Sequence, residues 1–97
     1  MEYTMMIAGE AVALKYTFNS LCAMEALAGG TLENALKKPF TAARLLLWGG
    51  IQEKKISLKG VGELLEKHLQ SGGTLEEILE GCLCAMTRSG FLDSGEA

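Results

Sequence analysis

The chain has 97 residues and a mass of 10.4 kDa, and 48% of its residues are hydrophobic. A chain of this length forms one domain, which excludes a multidomain enzyme, and its composition excludes a disordered or collagen-like protein. The formal charge of −3 argues against a general nucleic-acid binder, which needs a basic excess on one face. We expect a single domain over residues 1–92 and a polar C-terminal tail over 93–97.

Charge is unevenly distributed along the chain. Residues 37–59 carry six basic residues against one acidic residue, a net +5, whereas residues 74–97 carry five acidic residues against one basic residue, a net −4. Such a dipole is typical of a solvated surface, and it would also favour head-to-tail contact with a further copy or a partner. We expect a cytoplasmic protein with reduced thiols, because the sequence lacks a membrane-length apolar run and a signal-peptide pattern, and its three cysteines are an odd number.

Residues 3–16 alternate between apolar and polar positions, a pattern that predicts a β-hairpin. A two-residue turn at Gly9-Glu10, with glycine first, would set the register. The expected pairs are Ile7 with Val12, Met5 with Leu14, and Tyr3 with Tyr16. These six side chains would then lie on one face. Because an isolated hairpin is only marginally stable, the ribbon must pack on helices or pair its edge with another chain.

From Phe18 onward the apolar spacing becomes helical, and capping residues divide this part into four or five helices. We expect them over residues 18–28, 32–38, 42–55, 58–70 and 75–89. The 42–55 helix, capped by Thr41, is apolar on all sides, so it should be central, and Gly49-Gly50 in its middle would admit the close approach of a neighbouring backbone. The predicted fold is α+β and mostly α, an N-terminal β-hairpin followed by a bundle of four to five short helices around a central apolar helix.

Two charged residues fall on apolar faces of their predicted helices. Glu25 lies in the apolar arc of the first helix, and Arg44 lies beside Trp48 on the central helix. We interpret them as a buried structural ion pair, because a lone carboxylate with a guanidinium offers neither a nucleophile nor a titrating base.

A metal site built from His68, Cys22 and Cys82 is the other chemical hypothesis. Zinc sites usually have paired ligands in a loop, whereas Cys82 and Cys84 point to opposite sides of a helix. A core histidine that donates to a backbone carbonyl explains His68 better, and Cys84 should be an exposed thiol. With no phosphate-binding glycine loop, carboxylate pair or triad in the sequence, we expect no enzyme, no cofactor and no metal.

Several features follow one another in a recognisable order. The hairpin leads into Tyr16-Thr17-Phe18-Asn19-Ser20-Leu21, then Met24-Glu25 precede a glycine, then comes Thr41-Ala42-Ala43-Arg44-Leu45-Leu46-Leu47-Trp48-Gly49-Gly50, and two shorter helices end near Phe91-Leu92. This order resembles the tail assembly chaperones of long-tailed bacteriophages, in the branch that includes the corresponding small protein of gene transfer agents. The resemblance covers roughly residues 3 to 92.

The resemblance implies a protein that is made in the bacterial cytoplasm from a phage or prophage gene. Such a protein binds the long helical tape measure protein, keeps it soluble and helps to recruit tail tube subunits, and its family is often also made as a longer frameshifted product. The family has no catalytic residues, so binding would use surfaces: the hairpin edge, an apolar groove beside the central helix, and the basic stretch Lys54, Lys55 and Lys59, with Trp48 as a further candidate for partner binding.

Other interpretations stay open at this point. The three lysines of the basic stretch could simply solvate a helix end. A small helical DNA-binding regulator would use that stretch to contact phosphate, and a structural tail component would assemble with its own copies into rings or tubes. Salt dependence of binding separates a phosphate binder from a protein that acts through apolar burial.

Overall fold

The computed structural model describes residues 3–51 and 56–91. Within these residues the chain forms a two-stranded sheet followed by five helices, so the fold is α+β and mostly α, as the sequence predicts. The elements are β1 (Tyr3–Ile7), β2 (Glu10–Leu14), α1 (Phe18–Ala28), α2 (Leu32–Leu36), α3 (Pro39–Gly50), α4 (Leu58–Gln70) and α5 (Leu75–Arg88). The expected polar tail at 93–97 lies outside the described residues.

The hairpin register differs from the predicted one by two residues. The observed pairs on the inner face are Tyr3 with Leu14, Met5 with Val12, and Ile7 with Glu10. The turn is formed by Ala8 and Gly9, not by Gly9 and Glu10, and both turn residues have positive φ angles, 53° and 85°. Positive φ at both positions is typical of a type I′ turn, whose twist matches that of the strands. A shift of two residues keeps each side chain on its face, so the predicted inner face is confirmed.

The central helix α3 begins at Pro39, three residues before its predicted start, with Lys38 as N-cap. Proline suits the first helical position because its fixed φ fits the helix and its missing N–H would have no partner there. Thr41, expected as the cap, therefore lies inside the first turn. The other four helices and β2 all contact α3, which confirms its central position. Its buried residues are Ala42, Ala43, Leu45, Leu46, Leu47, Gly49 and Gly50.

The C-terminal end of α3 is covered by two side chains from neighbouring segments. Gly49 and Gly50 are the last two residues of the helix, not its middle, because α3 starts earlier than predicted and ends before Ile51. A Cβ at Gly49 would lie 2.1 Å from the sulfur of Met24, and one at Gly50 would lie 3.0 Å from the Tyr16 ring. These glycines do have close neighbours, but the predicted approach of a backbone is wrong, because side chains occupy the space.

The remaining helices are positioned by their caps. Thr74 and Glu77 form the predicted capping box at the start of α5, and Ser57 caps α4 as expected. Thr17 and Ser20 form a second capping box, at the start of α1, which the sequence reading missed. α2 ends two residues before its predicted end, and α5 ends one residue before.

Candidate binding groove

An open groove of about 380 Å³ lies between α3 and α4 and reaches the start of α5. It lies beside the central helix, where the resemblance leads us to expect an apolar groove, but Trp48 is not among its lining residues. Three of its lining residues come from α3, four from α4 and one from α5. They are Phe40, Thr41 and Arg44, then Gly62, Leu65, Glu66 and Leu69, and finally Leu75.

Two of the lining side chains are apolar and exposed. Phe40 is 72% exposed and Leu69 is 38% exposed, whereas Leu65 between them is buried. Single exposed apolar residues are ordinary on protein surfaces, but apolar groups gathered in one concave site mark a binding surface. The groove therefore holds apolar area that the fold itself does not use.

Arg44 and Gly62 lie on opposite sides of the groove. A Cβ added at Gly62 would lie 3.7 Å from Cδ of Arg44, an ordinary van der Waals contact, so the space between them would admit a methyl group. α3 and α4 are in contact with each other. Towards Phe40 and Leu69 the groove is open to solvent.

The groove carries one charge on each wall. Arg44 lies on the α3 wall and Glu66 on the α4 wall, and both residues are exposed. Among the described residues neither of them takes part in an ion pair, and Oε2 of Glu66 accepts a long hydrogen bond, 3.4 Å, from Nε2 of Gln70 on the same helix. Within the described residues, the Arg44 guanidinium and Oε1 of Glu66 make no hydrogen bond, so both can face a bound molecule.

His68 connects the hairpin to the turn between α4 and α5. The Ala8 N–H donates to its Nδ1 at 3.1 Å, and its Nε2 lies 3.1 Å from Oε1 of Glu77. Since Nδ1 accepts a hydrogen bond, the geometry assigns the neutral ring with its proton on Nε2, which donates to the carboxylate. The prediction that His68 is a buried histidine is confirmed, but the predicted bond from it to a backbone carbonyl is wrong.

Glu77 serves both the cap of α5 and this histidine. The backbone N–H of Thr74 donates to its Oε1, and this bond together with the His68 bond holds the pKa of the Glu77 carboxyl below its ordinary value. A hollow of about 470 Å³ beside this cluster is lined mostly by the hairpin tip and the α4–α5 turn. The cluster joins elements that are distant in sequence, so its role in the fold is structural.

The buried titratable groups form a second cluster, under the hairpin. The Tyr16 hydroxyl donates to the Leu46 carbonyl, and burial raises the pKa of this tyrosine well above its ordinary value. Burial also raises the pKa of the Cys82 thiol to about 12. A thiol with so high a pKa is not a nucleophile near neutral pH, so this cluster belongs to the core.

The expected buried pair between Glu25 and Arg44 is wrong. Both residues are exposed, and no ion pair joins them. The apolar arc of α1 is turned relative to the predicted one, because Met24 is the residue that enters the core, against Gly49. Arg44 lines the groove instead.

The metal hypothesis has no support in the described residues. Cys22 is exposed and Cys82 is buried, and Cys84 is exposed as expected. No group of three or more histidine, cysteine, aspartate or glutamate side chains that could hold a metal ion occurs in residues 3–51 and 56–91.

Of the residues expected to bind a partner, neither of the two that the structure describes is found among the lining residues of the groove. Trp48 is half-buried against the core and does not line the groove, and Lys59 is exposed on α4 outside it. Lys54 and Lys55 lie outside the described residues. Sequence reasoning missed two lining residues of the groove, Phe40 and Leu69. For Phe40 the missed signal was Pro39, because a proline at the first helical position places Phe40 on a helix rather than in a loop.

Two further findings bear on function. None of the helices in the described part of the chain is long and apolar enough to cross a membrane. Comparison with protein-family models, with curated proteins and with solved structures finds no significant match for this chain.

Proposed function

We propose that this protein is a phage or prophage tail assembly chaperone, which binds the tape measure protein and tail tube subunits while the tail is built. The order of sequence features from the hairpin to Phe91 supports this proposal through its resemblance to that family. The groove between α3 and α4 is the structural observation that carries it.

An open apolar groove between two helices suits a partner helix. Helix-in-groove recognition places the apolar face of an amphipathic helix in a hydrophobic groove. Phe40 and Leu69 would meet such a face, and the binding of a long helical protein would bury them. A chaperone acting in this way keeps apolar helical segments of the tape measure protein from associating with one another.

The groove itself does not favour the DNA-binding alternative, whose basic stretch of Lys54, Lys55 and Lys59 lies mostly outside the described residues. Phosphate contact requires cations gathered on one surface, but the groove has an apolar lining with one positive and one negative residue. A structural tail component would instead expose surfaces for its own copies and assemble into rings or tubes. Salt titration and molar mass therefore distinguish these classes from a chaperone.

The proposal predicts that a gene near the one for this chain encodes a tape measure protein, and the test is co-expression of the two proteins. We expect the tape measure protein to stay in the supernatant and to co-purify, with little effect of added salt. Phe40→Ser should reduce the amount recovered by more than about fivefold, the effect of losing a central interface residue. Failure of the wild-type chain to retain the tape measure protein would contradict the proposal.

The chain offers a matched control for that experiment. Phe18 is 71% exposed and, like Phe40, lies in the first turn of its helix, but on α1 and outside the groove. Phe18→Ser should leave recovery of the tape measure protein unchanged. An equal loss in both variants would show that general surface hydrophobicity, not the groove, holds the partner.

A further inference from the structure

We propose that the groove selects an amphipathic helix with one acidic flank and one basic flank, and that the acidic flank faces α3 while the basic flank faces α4. This inference rests on the proposed function only in assuming that the occupant is a helix. It adds the chemistry by which the partner is recognised.

The walls of the groove carry the argument. On α3, Phe40 and Arg44 are four residues apart, so they lie on the same side of the helix one turn from each other. On α4, Glu66 and Leu69 are three residues apart and share a side in the same way. Each wall thus offers one apolar contact and one charge, and the two charges have opposite signs.

A helix seated on Leu65 would present its apolar stripe to the floor and one flank to each wall. An acidic side chain on the first flank would meet Arg44, and a basic side chain on the second would meet Glu66. Turning the same helix end to end exchanges its flanks and brings like charges together on both sides. The two charges therefore fix the chain direction of the partner as well as its composition.

Synthetic helical peptides of about four turns test this inference directly. All share one apolar stripe, and they differ only in their flanks: one peptide has a glutamate flank and a lysine flank, a second has lysine on both, and a third has glutamate on both. Binding to the purified protein is measured by fluorescence anisotropy. We expect the mixed peptide to bind the wild-type protein at least about threefold more tightly than either of the others, as rim charge pairs of modest strength would give.

Charge reversals in the walls should change the preference in a defined way. Arg44→Glu makes both walls acidic and should shift the preference to the lysine peptide, and Glu66→Arg makes both basic and should shift it to the glutamate peptide. The controls are Lys59→Glu and Glu63→Arg, which reverse exposed charges of α4 outside the groove. These controls should keep the wild-type preference for the mixed peptide.

Several results would overturn the inference. These are equal affinity for the three peptides, a preference unchanged by Arg44→Glu, and no detectable binding of any peptide. A molar mass of twice 10.4 kDa that Phe40→Ser returns to 10.4 kDa would instead assign the groove to a second copy of the chain. The peptide experiment requires no tape measure protein, so the two tests can fail separately. If the wild-type chain shows the expected peptide preference but does not retain the tape measure protein, only the proposed function is contradicted.

Discussion

The two ends of α3 are built in opposite ways. At the C-terminal end, Gly49 and Gly50 have no side chains, and Met24 and Tyr16 fill the space above them. At the N-terminal end, Phe40 projects into an open groove and is 72% exposed. One end of the helix is thus covered by the protein's own side chains, whereas the other end exposes apolar area.

This contrast separates folding from binding within one helix. Burial of Met24 and Tyr16 contributes to the stability of the fold, because their apolar surface leaves water when the chain folds. Phe40 gains little from folding, since most of its surface stays in water. Substitutions at the covered end should therefore change the free energy of unfolding, and substitutions at the open end should change binding.

The largest expected effect lies at the covered end. Met24 is 0% exposed, so Met24→Ala should lower the free energy of unfolding by about 2–5 kcal/mol through the cavity that it leaves. Gly49→Ala alone should lower it by about 1–3 kcal/mol, because the new methyl group would overlap the methionine sulfur. Urea unfolding measures both changes.

The double variant sharpens this result. With the methionine side chain gone, the alanine methyl group partly fills the cavity, so the double variant should lose less stability than the sum of the two single changes, by about 0.5–3 kcal/mol. Additive losses would show that Met24 and Gly49 are not in contact, and the description of the covered end would then be wrong.

The second expected effect is a loss of stability at alkaline pH. The folded state raises the pKa of the Cys82 thiol from 9.0 to about 12, and it also raises that of Tyr16 above 10.0. The stability linked to each group is therefore complete below its unfolded pKa and is lost as pH rises, because the unfolded chain releases a proton that the folded chain keeps. For Cys82 the loss falls between about pH 9 and about pH 12, at about 1.4 kcal/mol per pH unit.

Measuring the free energy of unfolding of variants at several pH values separates the contribution of Cys82 to this loss from that of Tyr16. Above pH 9 the free energy of unfolding of Cys82→Ala should fall less steeply with pH than that of the wild type, by about 1.4 kcal/mol per pH unit. Cys84→Ala is the matched control, since Cys84 lies on the same helix and is exposed. An unchanged slope in Cys82→Ala would mean that this thiol is not buried in the folded state.

The smallest expected effects lie at exposed positions. Phe40→Ser should change the free energy of unfolding by less than about 0.5 kcal/mol, the usual limit for a surface substitution. Glu25→Ala should also stay below about 0.5 kcal/mol, because Glu25 is exposed and forms no ion pair with Arg44. Thermal unfolding is sufficient for both variants. If Phe40→Ser lowered the free energy of unfolding by more than about 1 kcal/mol, beyond the usual range for a surface substitution, Phe40 would contribute to the stability of the fold. The two ends of α3 would then not differ in the way described.

The parts of the fold that the sequence predicted well are those set by local chemistry. The bounds of α1 and α4 match their predictions, since Gly29 takes a left-handed conformation after α1 and Ser57 caps α4. The inner face of the hairpin also matches, because alternation depends only on the strand period.

The predictions that were wrong concern features that depend on tertiary contacts or on a choice between two possible turns. Glycine favoured a turn at Gly9-Glu10, and both type I′ and type II′ turns match the strand twist. In the observed register Tyr16 lies outside the strand pairing, and it donates to the Leu46 carbonyl and packs against Gly50 instead. The apolar residues of α1 occur on more than one side, so only contact with Gly49 decides that Met24 rather than Glu25 faces the core. The groove combines residues from three helices, and a single sequence does not show how those helices pack.

Hydrogen exchange of the purified complex with the tape measure protein tests the central claim most directly. The account predicts that binding slows exchange of amides in the first turns of α3 and along Gly62–Leu69 of α4, while amides at the C-terminal end of α3, already protected in the free protein, change little. Slower exchange confined to the hairpin or to α1, with α3 and α4 unchanged, would contradict the assignment of the groove as the binding surface.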